Sequence, residues 1–288
     1  MDQEAFTRLM SELRPRLHRY CARMVGSAVD GEDVVQDALI KATKAFPASD
    51  PIERPESWLF RIAHNVALDA LRRRRKNAPV DPEADIIDLA DPDAAADARV
   101  AVAANLATFM RLPASQRSSA ILVDVLGYSL EETAHILGVT LMAAKAALNR
   151  ARTRLRILSH AEDCSSPPLL DPGERNRLRA YADRFNAREF DALRDLLAED
   201  VRLDLYNRRR LDSRSEVARY FTHYSENPAC RVATCLADGR LALVLNDPNA
   251  EPQNYIVILD WDGDHIARIR DFRYAPYVME AIAITALP

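Results

Sequence analysis

The chain has 288 residues, 48% of them hydrophobic and 28% charged, with only seven glycines. That supports two or three cored domains and argues against long disordered tracts. Its formal net charge of −4 speaks against a nucleic-acid binder until it is divided along the chain. Residues 1–80 carry +3, 81–99 carry −6, 100–160 carry +4, 161–175 carry −3 and 176–288 carry −2.

Two basic blocks are thus separated and followed by acidic connectors. The first connector runs from Asn77-Ala78-Pro79 to Asp91-Pro92-Asp93 and the second from Asp163-Cys164-Ser165 to Asp171-Pro172-Gly173. Both are rich in Pro and Asp and poor in large apolar groups, as linkers are. The apolar runs fall far short of the roughly 18 residues of a membrane span, and Met1-Asp2-Gln3-Glu4 has neither a basic leader nor an apolar core of a secretory signal. Cys21, Cys164, Cys230 and Cys235 form no zinc-like spacing. The expectation is a reduced cytoplasmic protein with free thiols, no metal, no cofactor and no membrane partner.

In the first block, Val34, Val35, Ala38, Leu39, Ala42 and Phe46 recur at helical spacing, with Asp30 as the expected N-cap. Asp33, Asp37, Lys41 and Lys44 line the opposite face with Gln36 beside them, an arrangement that alone reads as a solvated face. In the next helix Pro55 suits the first turn, and Leu59, Ile62, Val66 and Ala70 form a buried stripe. Trp58, Arg61, Asn65, Asp69 and Arg72 form another, running into Arg73, Arg74, Arg75 and Lys76. An aromatic, an amide and a basic cluster on one face serve single-stranded DNA binding through stacking, base-edge bonds and phosphate neutralisation. A second reading stands beside it: Trp58 half-buried in the core, with the basic run at a helix C-terminus.

In the second block, Ala114 to Leu126 reads as one helix broken at Gly127. Ser129-Leu130-Glu131-Glu132 is a capping box. Leu130, Ala134 and Leu137 share a face of a short helix ended by Gly138, and Thr140 caps a helix carrying Lys145, Asn149, Arg152 and Arg156 on one face, flanked by Arg150 and Arg154. Short helix, glycine turn and basic second helix follow helix-turn-helix logic.

Residues 1–158 resemble the extracytoplasmic-function (ECF) class of RNA polymerase sigma factors, which keeps regions 2 and 4. The resemblance rests on Asp30 to Ala38 (DGEDVVQDA), Trp58 to Asp69 (WLFRIAHNVALD), and Leu112-Pro113 through Leu155. It implies that Asp33, Gln36 and Asp37 bind polymerase, and that Trp58, Arg61, Asn65, Arg72, Arg73, Arg74, Arg75 and Lys76 bind minus-ten DNA. Lys145, Asn149, Arg150, Arg152 and Arg154 bind the minus-thirty-five element. One departure stands out: the family's usual Thr-Val-Lys-Ser-Arg is replaced by Ala143-Ala144-Lys145-Ala146-Ala147. Alanine can at most touch a thymine methyl, so sequence reading by this helix is expected to be weak.

After Gly173 two helices are expected, Glu174–Ala187 and Glu189–Ala198. A strand from Val201 to Tyr206 and a helix from Arg214 to Tyr224 follow. Hairpins turn at Asp238-Gly239 and Asp262-Gly263. Tyr181 to Leu193 and Leu196 to Val201 resemble the SnoaL-like, NTF2-like family, which implies an α+β cone with a curved antiparallel sheet. Its mouth is the natural pocket. Asp204, Tyr206, His223, Trp261, Arg270 and Tyr274 are the candidate pocket residues, with His265 and Asp271 as further acid-base groups. Such residues also alternate outward on any half-exposed sheet, so no catalytic residue is expected.

The fold class is therefore multi-domain: two all-α sigma domains, a region 2 helical bundle and a region 4 helix-turn-helix, then the α+β cone. The expected boundaries are 1–78 for region 2, 79–98 for the acidic linker, 99–159 for region 4, 160–174 for a second linker and 175–288 for the SnoaL-like domain. The partners implied are RNA polymerase core, promoter DNA and an unidentified small ligand of the last domain. Two alternatives stand: a helix-turn-helix regulator independent of polymerase, and a SnoaL-type enzyme with vestigial sigma domains.

Overall fold

A computed structural model of the chain describes residues 1–46, 52–75, 99–102, 104–159 and 170–287. Lys76, the acidic linker 79–98 and Cys164 lie outside them, as does most of the second linker. The chain forms two compact units, Met1–Cys164 and Ser165–Pro288.

In the first unit, α1 (Gln3–Val25) opens with the Asp2 carboxylate accepting the Ala5 amide and closes at Gly26, whose φ of 78° is the left-handed conformation of a helix stop. The next helix, α2, spans Ala28–Ala45. Its N-cap is Ser27 rather than the expected Asp30, because the Ser27 hydroxyl accepts the Asp30 amide at 3.3 Å while the Asp30 carboxylate receives Arg74. The third helix, α3 (Pro55–Arg75), begins with its proline in the first turn, as expected. Where α1 meets α2, a Cβ on Gly31 would lie 2.6 Å from the Ala22 backbone, so the two axes approach too closely for any side chain there. Arg14 crosses the same contact to the fully buried Glu32, with Nε 3.0 Å from Oε1.

The remaining helices of this unit are α4 (Leu106–Met110), α5 (Ala114–Ala120), α6 (Leu130–Leu137) and α7 (Leu141–Ser159). The helix expected to run unbroken to Leu126 widens instead into a π turn over Ile121–Val125, marked by the Leu126 amide reaching back to the Ile121 carbonyl at 3.0 Å. The capping box on α6 forms in full, and Thr140 accepts the Ala143 amide at the start of α7.

The two helical modules share one core. Phe6, Tyr20, Val35, Phe60 and Val66 join Phe109, Leu112, Ile121, Tyr128 and Leu148 in a single buried cluster. Phe60 meets Tyr128 edge-on at 5.2 Å. The Arg117 guanidinium, 4% exposed, donates to the carbonyls of Met24, Leu112 (2.8 Å) and Met110 (3.2 Å).

The second unit opens with α8 (Pro172–Asn186) and α9 (Phe190–Asp195). Then come β1 (Leu197–Leu205), β2 (Arg209–Leu211), α10 (Arg214–Ser225), β3 (Arg231–Ala237) and β4 (Arg240–Asn246). It ends with β5 (Asn254–Asp262), β6 (His265–Asp271), α11 (Pro276–Met279) and β7 (Ile284–Ala286). The sheet order is β2-β1-β6-β5-β4-β3-β7. It is mixed rather than wholly antiparallel, since β1 runs parallel to β6. The helix expected through Ala198 stops at Asp195 because Leu197 already enters the sheet as a buried strand residue. The Asp238-Gly239 hairpin forms where expected, and the other turns one residue later, on Gly263-Asp264, because Asp262 still pairs with His265 in the sheet. Phe185, Phe190, Phe221 and Tyr224 from the helices fill the space against the sheet. Asn186 fastens α8 to β3 by exchanging two bonds with the Val232 backbone, at 2.8 and 3.0 Å.

Two histidines of the first unit are buried and neutral: His18, with Nε2 2.9 Å from the Ala28 carbonyl, and His64, with Nδ1 2.7 Å from the Tyr20 hydroxyl. Burial pulls both down from 6.5 to about 4. The unfolded chain therefore binds more protons than the folded one between those values, and stability falls as pH drops from about 6.5 to about 4, by about 3 kcal/mol per histidine. We expect His18→Gln, which keeps a donor for Ala28, to flatten that part of a urea-unfolding pH profile. Superimposable profiles would mean that His18 is not held neutral by the fold.

Candidate functional site

On α2, Asp37 is exposed while Asp33 and Gln36 are half-buried, so the three predicted polymerase-binding residues share an accessible face. On α3, Arg61 and Asn65 are exposed. Trp58 is not the free stacking platform of one sequence reading. It is half-buried, with its ring 6.0 Å from Phe6, and packs against the core. Phe60, Ala63 and Ala67, absent from the expected stripe, are fully buried. The basic run also divides. Arg72 is solvent-exposed with Asp69 at 3.2 Å, and Arg73 reaches only the Asp69 carbonyl. Arg74 turns back to the Val25 carbonyl at 2.8 Å and to the Asp30 carboxylate. Arg74 therefore closes the end of α1 against α2, a structural task that occupies its charge. The Arg75 side chain lies outside the described residues.

On α7, Lys145, Asn149 and Arg150 are exposed and Arg154 is half-buried. Arg152 is a correction. Its guanidinium grips Asp124 with two bonds, of 3.0 and 2.6 Å, and the Asp124 side chain is 1% exposed. It binds the π turn to α7 and is not available to phosphate. The alanine departure is smaller than the sequence implies. Ala144 and Ala147 are buried against the unit's interior, so only Ala143 and Ala146 replace polar groups on the accessible side.

The α3 face and the helix-turn-helix touch. The Arg61 guanidinium donates to the His135 carbonyl on α6. Glu56, at the start of α3, accepts both the Tyr128 hydroxyl and Arg16 Nη1, the latter at 2.6 Å, while the Arg16 guanidinium lies 4.9 Å from the centre of the Tyr128 ring. Together with the Phe60–Tyr128 contact, these bonds close the two modules on each other.

In the second unit, a cavity of about 380 Å³ opens beside α10, lined among others by Leu205, Arg208, Arg219, His223, Asp271 and Tyr274. Of the candidate pocket residues, His223 and Tyr274 line this cavity. Asp204, Tyr206, Arg270 and Trp261 do not. Asp204 takes Arg268 at 2.6 Å and Arg202 at 3.4 Å, and Arg270 takes Asp260 at 2.7 Å. Tyr206 stacks on Phe272 at 4.6 Å, and Trp261 lies under the Arg177 guanidinium at 5.6 Å. His265 is exposed at the hairpin.

Asp271, read from the sequence as a further acid-base group rather than a pocket residue, lines the cavity. It is fully buried and accepts the Tyr220 hydroxyl at 2.7 Å and the Arg273 amide at 2.8 Å; burial pushes its pKa up. The Tyr224 hydroxyl continues this chain to Tyr220 and Tyr255, and burial pushes all three phenols up. Arg273 meets Asp247 at 3.3 Å and donates Nη1 to His223 Nε2. That bond requires a neutral imidazole, and partial burial and the Arg273 charge hold His223 below its usual range. The run Arg208-Arg209-Arg210 was the signal in the sequence for a basic rim.

Comparison with known families matches residues 9–77 to Sigma-70 region 2, 106–155 to Sigma-70 region 4 and 178–273 to the SnoaL-like domain. The chain is similar to ECF RNA polymerase sigma factor SigM of Mycobacterium tuberculosis, 36% identical over 160 residues, which cover 55% of this chain and 80% of that protein. It is also similar to RNA polymerase sigma factor CarQ of Myxococcus xanthus, 32% identical over 159 residues, 54% and 90% of the two chains. Among solved structures, the Mycobacterium tuberculosis extracytoplasmic function sigma factor SigJ aligns over 92% of this chain and 95% of its own, at 23% identity and a TM-score of 0.37.

The two lost arginines separate structural from binding roles. Arg152→Ala leaves the Asp124 carboxylate buried and unpaired and should lower stability by about 2–4 kcal/mol in denaturant unfolding. Lys145→Ala, on the exposed side of the same helix, should leave stability within about 0.5 kcal/mol. An Arg152→Ala protein as stable as its parent would return Arg152 to the list of phosphate contacts.

Proposed function

The chain belongs to the ECF RNA polymerase sigma factors, and we propose on that premise that its closed helical unit opens on polymerase to expose the promoter-reading faces. As a sigma factor with a SnoaL-like extension, it binds RNA polymerase and acts with promoter DNA. No helix among the described residues is long and apolar enough to cross a membrane.

In this reading Asp33, Gln36 and Asp37 dock on polymerase. Arg61, Asn65, Arg72, Arg73 and Lys76 hold the minus-ten strand, with the half-buried Trp58 beside them. Lys145, Asn149, Arg150 and Arg154 hold the upstream element. The single observation that carries the closed state is the bond from Arg61 to the His135 carbonyl. A guanidinium of the promoter face is already engaged by the helix-turn-helix, so DNA and α6 compete for it. Polymerase then need only favour the open arrangement by its differential affinity. With Ala143 and Ala146 outward, the hydroxyl contacts of the family's Thr and Ser are missing, and base preference at the upstream element is weak.

The SnoaL-like unit regulates this equilibrium in our reading rather than catalysing a reaction. Asp271 has the raised pKa that often marks an acid-base group, yet each of its oxygens is already occupied by a fixed donor of the fold.

Run-off transcription with polymerase core and a randomised promoter library tests the assignment, comparing the full chain with residues 1–160. Transcripts enriched for a sharp minus-ten and a diffuse upstream element are expected, with truncation changing their yield. Equal yield from both proteins would remove the regulatory role. Absence of core binding and of transcripts from either would remove the promoter assignment.

A further inference from the structure

We infer that the cavity of the second unit binds a small organic anion, a carboxylate or phosphate carried on a flat apolar body. Its volume of about 380 Å³ lies at the small end of the range for ligand pockets, with room for roughly one or two rings.

The charge of the walls selects the ligand. Four arginines, Arg208, Arg209, Arg219 and Arg273, line the cavity against two acids, Glu216 and Asp271, and Arg273 is answered from behind by Asp247 at 3.3 Å. Elsewhere in this unit arginines meet carboxylates directly, as Arg268 does Asp204, Arg270 does Asp260 and Arg214 does Glu199. Among the described residues, Arg208 and Arg219 have no carboxylate partner. Asp271 is fully buried and takes Tyr220 and the Arg273 amide instead. Guanidinium groups repel one another, and an anion between them supplies the charge-assisted bonds that the protein omits.

The arginines are also pre-positioned. Arg208 lies 4.5 Å from the centre of the Tyr274 ring, and Arg273 lies 5.6 Å from Tyr255 and 5.8 Å from Tyr274. Stacking on aromatic faces fixes the guanidinium planes at modest entropic cost. Leu205, Leu211 and the ring of Tyr274 form the apolar wall, which accepts a flat body and excludes a fully hydrated inorganic ion. A neutral His223 adds a polar edge without competing for the anion.

Isothermal titration on the full chain at low salt tests this with four probes: benzoate, phenyl phosphate, benzamide and inorganic phosphate. Benzoate or phenyl phosphate should bind at least about tenfold more tightly than benzamide and than inorganic phosphate. The double variant Arg208→Gln/Arg219→Gln should lose at least about tenfold of that affinity, its thermal midpoint unchanged because both side chains are exposed. Arg179→Gln, exposed on α8, should change nothing. Equal binding of benzamide and benzoate would overturn the anion. Equal binding of inorganic and phenyl phosphate would overturn the apolar body. Unaltered binding by the double variant, an equal loss with Arg179→Gln, or no heat from any probe at about 10 mM, a level at which even millimolar affinity would register, would overturn the site itself.

Discussion

Arg117 lies almost wholly out of solvent between the end of α1 and the turn that enters α5, and its guanidinium donates to the carbonyls of Met24, Met110 and Leu112. A helix C-terminus leaves carbonyls without intrahelical partners. Here a residue from the helix-turn-helix side supplies the missing donor to α1. Each such charge-assisted bond contributes about 1.5–3 kcal/mol when its alternative is a dry, unpaired carbonyl. Gly26 belongs to the same joint. Its left-handed backbone ends α1, and any Cβ there would strike the Met110 side chain at 2.3 Å. The shared core of Phe60, Phe109 and Tyr128 follows from this fastening, and so does the approach of Arg61 to α6.

Local signals carried much of the fold. The proline at the start of α3, the capping box on α6 and the Asp238-Gly239 hairpin form where the residues place them, because each depends on neighbours within four residues. The N-cap of α2 was misplaced by three residues because Ser27 and Asp30 are both good caps, and Arg74, 44 residues away, decides between them. The parallel pairing of β1 with β6 and the common core of the helical modules are long-range facts that periodicity cannot express.

The candidate site was legible as faces rather than as partners. Helical spacing put Arg61, Asn65, Arg72, Lys145 and Asn149 on accessible surfaces, and they are there. The same spacing put Arg74 and Arg152 beside them, and both turn to carboxylates contributed by other helices. In the pocket, strand alternation marked Asp204 and Arg270 as outward and polar. They are satisfied across the sheet, while the cavity draws instead on arginines of the β1–β2 turn, β2, α10 and the segment after β6, and on Asp271 at the last residue of β6. A charge on a strand face has an adjacent strand to answer it, as Arg270 has Asp260; Arg208 in the turn before β2 and Arg219 on α10 have no such neighbour.

The parallel pair of β1 and β6 joins Leu203 to Ile269 and Leu205 to Asp271, and the final strand, β7, covers the outer edge of β3. During synthesis β1 emerges about sixty residues before its partner, and a parallel pair separated by so much chain forms late. The helical half has all its partners by then and folds as a unit of its own. On every ribosome there is thus an interval in which the promoter-reading half is complete and its neighbour is still an open sheet. The pocket, which needs Leu205 from β1 and Asp271 from β6, forms only after that interval.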